Sequence, residues 1–159
     1  MDPGQASLLI RNRQRARKLD TRQLRRIVLA AVEELQPPGG FDLAFYLVSA
    51  VEMAGVNETY LQHEGPTDVI TFDYGEGEGS GPLHGEIFTC VEQAVIQARE
   101  FRTTWQSEVV RYAVHGILHL LGYDDRTGRL RRRMKEAENR LVKALARRFD
   151  FRCLALARC

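Results

Sequence analysis

The chain has 159 residues, 44% of them hydrophobic, 28% charged and 8% aromatic, with a formal net charge of +2. This composition excludes collagen-like, mucin-like and wholly disordered chains, and the length suits a single domain spanning residues 1–159. No run of about 18 uncharged apolar residues is present, which excludes a transmembrane helix.

In chain order, Ser7–Asn12 reads as a short strand. Asp20 or Thr21 can cap a helix reaching about Leu35, with Leu24, Ile27, Val28, Ala31 and Leu35 on one face. Pro37-Pro38-Gly39-Gly40 stops it. Leu43–Val48 is apolar and β-prone, as a buried strand is, and Ser49 to about Tyr60 reads as a helix interrupted or ended near Gly55. Val69–Tyr74 alternates like a strand, and residues 75–82 (GEGEGSGP) form a loop of turn formers. His84–Cys90 resumes as a strand, expected antiparallel to the previous one. Helices follow over Glu92–Phe101, Ser107–Leu121 and Thr127–Arg148. The order suggests an α+β or α/β layer structure with a small mixed sheet. The tail from Phe149 to Cys159 is open between a last strand, a helix end and an extension.

The charges are unevenly spread. Residues 1–26 carry eight bases against two acids, residues 126–159 twelve against three, and residues 27–125 three against sixteen. Two arginine-rich ends suit phosphate, which arginine grips bidentately, although solvated helix faces would look the same. The N-terminus lacks the apolar stretch of a signal peptide, and Cys90, Cys153 and Cys159 form no CxxC pair. Both features fit a reducing cytoplasm better than a secreted, disulfide-framed protein.

The chemistry concentrates in residues 115–125, HGILHLLGYDD. His115 and His119 lie four apart on the predicted helix, so their rings share a face with Glu108 and Tyr112. Gly122 can end the helix in a left-handed turn that delivers Asp124 and Asp125 toward the same face. The spacing H-x-x-x-H-x-x-G-x-x-D matches the metzincin zinc site, with aspartate in the third place. Two imidazoles and one carboxylate leave a fourth position for water, as catalytic zinc sites do. Two readings of Asp125 stay open: third ligand, or cap of the helix that follows. Gly116 stands where a metzincin protease carries its glutamate base, which makes peptide hydrolysis a distant alternative.

These residues resemble the YbeY family of bacterial rRNA maturation factors, metal-dependent endoribonucleases whose segment reads HGxLHLxGYDH. A second family segment is matched by residues 57–72, ending PTDVITF, and a third by Gly85-Glu86-Ile87-Phe88. The resemblance implies an α+β, zincin-like fold, with a small four-stranded mixed sheet packed with about five helices. It implies one Zn2+ per chain held by His115, His119 and Asp125, the last where the family usually has histidine, with Asp124 orienting a ligand. It also implies cleavage of single-stranded RNA in rRNA maturation and ribosome quality control, with rRNA precursor and the small ribosomal subunit as partners. Leu61 stands where the family commonly has an arginine associated with RNA processing; Arg111 and Asp68 are candidate assistants. The competing reading is a ribosome-binding factor with a structural metal. His63 is read as a loop residue, and Glu86 either faces the histidines or ends a row of the sheet.

Overall fold

The computed structural model describes residues 5–61, 67–75 and 81–156. Strand β1 (Gln5–Asn12) leads to α1 (Thr21–Leu35), then β2 (Gly40–Val48) and a short α2 (Ala50–Val56). A π-helical turn over Asn57–Leu61 follows, then β3 (Val69–Asp73), β4 (Leu83–Cys90) and α3 (Val91–Phe101). Helices α4 (Trp105–Leu120) and α5 (Gly128–Arg148) and a 3-10 turn (Phe151–Leu154) complete the order. This is the α+β arrangement expected: a four-stranded mixed sheet with five helices.

The sheet order is β1-β2-β4-β3. β1, β2 and β4 run parallel, while β3 lies antiparallel on the edge beside β4, as expected of a pair joined by a turn-rich loop. The cap expected at Asp20 or Thr21 falls on Asp20. Asp20 accepts from the Arg22 and Gln23 amides at the head of α1, and Thr104 accepts from Ser107 at the head of α4. The helix expected from Ser49 to about Tyr60, interrupted or ended near Gly55, is α2 ending at Val56, which runs into the π turn at Asn57.

Alternation along the strands makes two apolar faces. Leu43, Phe45 and Leu47 of β2 and Leu83 and Ile87 of β4 join the main core under α1, α4 and α5. Val48, Ile70 and Cys90 point the other way, into a smaller cluster closed by Met53 of α2. Helix α4 lies within the main core, with eleven buried residues. Its approach to the sheet is close. A Cβ on Gly116 would come within 2.7 Å of Ile87 Cγ2, and one on Gly85 within 2.5 Å of the Phe72 carbonyl oxygen. Both glycines are therefore packing requirements where helix meets strand.

The tail resolves in part. After the 3-10 turn, Ala155 bridges to Leu19 and the Leu156 amide donates to the Lys18 carbonyl, which ties the end of the chain beside α1. Residues 157–159, His63 and the loop centre at 76–80 lie outside the described residues. No helix among the described residues is long and apolar enough to cross a membrane.

Candidate metal centre

Helix α4 ends in a turn built by backbone geometry. The Tyr123 amide donates to the Leu118 carbonyl and the Gly122 amide to the His119 carbonyl, the paired bonds of a Schellman motif. Gly122 has φ 100°, a left-handed conformation that an L side chain resists. Asp124 then accepts from the Arg126 amide at 2.9 Å and from its guanidinium at 2.6 Å. Those bonds, the amide's first, hold the Asp124 carboxyl below its usual pKa. Asp124 thus braces the turn and does not bond to either ring. Thr127, not Asp125, caps α5 by accepting from the Leu130 amide. Asp125 lies two residues before that cap and does not cap the helix.

The turn brings Asp125 back to the two histidines. His119 Nε2 lies 3.1 Å from His115 Nε2, and Asp125 Oδ2 lies 3.6 Å from the former and 4.0 Å from the latter. Donors on a tetrahedral ion with bonds of about 2.0–2.1 Å stand about 3.4 Å apart, so these three separations bracket the requirement. All three donor atoms lie within 4.8 Å of one another, and among the described residues no other such group forms. The donor set fits a divalent ion of zinc's character.

The protonation states agree. Burial, and then the neighbouring His115 ring, push the His119 pKa below its ordinary value, which favours the neutral imidazole that ligates metals. His115 Nδ1 lies 3.2 Å from Glu138 Oε2, so that nitrogen carries the proton and Nε2 is left as the free donor. Burial alone would raise the Glu138 pKa. Hydrogen bonds from His115 and Arg111, with the Lys135 charge, overcome it and hold the carboxyl at about 2.

Glu138 is the residue the sequence reading missed. Its side chain is 5% exposed, and it sits on the buried stripe of α5 with Met134, Ala137, Leu141 and Leu145. An acid on an otherwise apolar helical stripe was the available signal. Arg111 donates to Glu138 Oε1 and to Asn139 Oδ1, both at 2.8 Å, so its guanidinium is engaged beside the donors.

Asp68 accepts from the Val69 amide at 2.8 Å, and its carbonyl receives the Cys90 amide, which anchors the start of β3. It also lines a cavity of about 670 Å3 with Arg111, His115, Asp125 and Glu138. Glu86 turns away from the histidines: Ile87 beside it enters the main core, while Glu86 receives the Tyr74 hydroxyl on the other face. Leu61 closes the π turn, and Tyr60 before it packs edge-on against Phe72.

The family profile described as Endoribonuclease YbeY matches residues 9–146. The chain is 42% identical over 92 residues to the Endoribonuclease YbeY of Chlorobium luteolum, covering 58% of this chain and 65% of that protein. It is 33% identical over 146 residues to the Endoribonuclease YbeY of Syntrophotalea carbinolica, covering 88% and 96% respectively. Its fold is similar to the solution structure of TM1509 from Thermotoga maritima, with a TM-score of 0.61, 28% identity, and 87% and 88% of the two chains covered.

Proposed function

The chain belongs to the YbeY endoribonuclease family, and on that premise we propose that it is a zinc-dependent endoribonuclease cutting single-stranded RNA. Maturation of rRNA and quality control of ribosomes in the cytoplasm complete the proposal, with rRNA precursor and the small subunit as partners. The observation that carries it is the convergence of His115, His119 and Asp125 inside the family's own motif.

A divalent ion held there supplies Lewis acidity, making water a better nucleophile near neutral pH and offsetting charge that builds on the scissile phosphate. The chain's own residues do the rest. Glu138 fixes the tautomer and orientation of His115, and the Schellman turn sets where Asp125 stands. Of the two basic ends, α5 reaches the donors: Arg131 and Lys135 line the same cavity as His115 and Asp125, in position to draw a polyanion toward them.

The protease alternative weakens on geometry as well as on sequence. Position 116 faces Ile87 of β4, so a carboxylate there would meet the sheet and not a substrate. The binding-factor reading keeps one specific support. Leu61 replaces the family arginine, and Arg111 is already committed to Glu138 and Asn139.

Zinc-loaded, nuclease-free protein incubated with rRNA precursor, beside a His119→Ala control, separates the two. The enzymatic reading expects cutting that the variant loses. Cutting unchanged in the variant refutes it, and tight RNA binding without cutting by the native protein transfers the case to the binding factor.

A further inference from the structure

The cavity beside the donors extends well past them, between the C-terminal end of α3, the face of α4 and the first turns of α5. At about 670 Å3 it is large for an ion and its water, and falls in the roughly 300–1,000 Å3 range of small-molecule sites. Its walls divide by chemistry. Phe101, 61% exposed at the end of α3, and the buried Met134 supply apolar surface. Arg131, Arg132 and Lys135, all exposed on α5, supply cations.

The polar groups lining it are largely engaged with one another. Tyr112 donates to Gln97, joining α4 to α3, and burial pushes its phenol far above the usual range, so it stays a donor. Thr103 donates to Glu108 at 2.6 Å, and Arg111 donates to Glu138 and Asn139. Such walls are preorganised and offer shape and an aromatic surface more than hydrogen bonds to read.

We propose that this cavity is a nucleoside subsite: it takes the base flanking the scissile phosphate against Phe101, with the phosphate toward Arg132 and the donor end. The proposal rests on the endoribonuclease reading of the same centre. Stacking on an aromatic ring tolerates every base, since each has a π-face, so the subsite should show little base preference. Arg132 has no side-chain partner among the described residues and is available to phosphate.

The test uses the full chain and needs no catalysis. Adenosine, guanosine, cytidine and uridine 5′-monophosphates are titrated by NMR, with inorganic phosphate as the comparison. The four nucleotides should bind with affinities within about threefold of one another, and phosphate at least about tenfold more weakly. Phe101→Ala, at an exposed helix end, should weaken all four about five- to tenfold while its thermal unfolding stays native-like. Absence of saturable binding, phosphate binding as tightly as nucleotide, or an unaffected Phe101→Ala variant would each overturn the subsite. The two readings fail separately. RNA cutting with an unchanged KM in Phe101→Ala removes the subsite and leaves the nuclease, while nucleotide binding without RNA cutting does the reverse.

Discussion

Replacing Glu138 by glutamine probes the hinge between fold and donors. The carboxylate accepts from His115 at 3.2 Å and from Arg111 at 2.8 Å with its side chain 5% exposed, so glutamine keeps the shape and removes the charge. Outer partners of this kind are worth roughly 10–100-fold in metal affinity, and zinc binding measured by chelator competition should fall about tenfold in Glu138→Gln. Stability should respond too. The Glu138 carboxyl sits at about 2 against an ordinary 4.5. At about 1.4 kcal/mol per pH unit the ceiling is about 3 kcal/mol, which solvent around Lys135 and Arg111 screens to about 2 kcal/mol. Because the folded pKa is depressed, that stabilisation is fully present above pH 4.5 and is lost as pH falls toward about 2. Urea unfolding of native protein and variant, compared from pH 7 to pH 3, should therefore show a gap that narrows in acid. A folded variant with zinc affinity within twofold of native, or a gap independent of pH, would refute the assignment.

Asp125→Ala should cost more zinc affinity than the Glu138 change, and full occupancy in elemental analysis would mean that the third donor lies elsewhere. Asp125→His, which restores the family's usual residue, should retain the ion. Gly116→Ala should destabilise by about 1–3 kcal/mol in urea, since the new methyl meets Ile87 at 2.7 Å. Gly85→Ala should cost more, because its obstacle at 2.5 Å is the Phe72 backbone and cannot rotate away; equal costs would show that the strand shifts freely. RNA affinity should fall steeply between low and moderate salt, and a flat response would remove the basic face of α5 from the contact surface.

The elements that sequence predicted well are those whose signals are local. Asp20 caps α1 with its own side chain, and the runs Leu43–Val48 and His84–Cys90 fall within β2 and β4. The grouping of His115, His119 and Asp125, which could hold a metal ion, was legible for the same reason, since helix periodicity and one glycine place all three. The break of the Ser49–Tyr60 helix near Gly55 was legible as well, but the π turn after it was not, since its Tyr60 packs on Phe72 of β3, later in the chain. Nor was the role of Glu138, whose partners stand on a helix 23 and 27 residues earlier in the chain. Glu86 shows the converse: strand alternation alone directs it away from the histidines, once the core face of β4 is known.

His115, His119 and Asp125 all come from one helix and the turn that ends it, so assembling them requires little of the chain's long-range order. The brace at Glu138 arrives from a separate element, α5, as does Arg131, which donates to the Asp125 carbonyl at 3.3 Å. Detaching α5 would thus leave the donors near one another yet ungoverned, and the capture of an ion and the tuning of its grip become separable properties of the molecule.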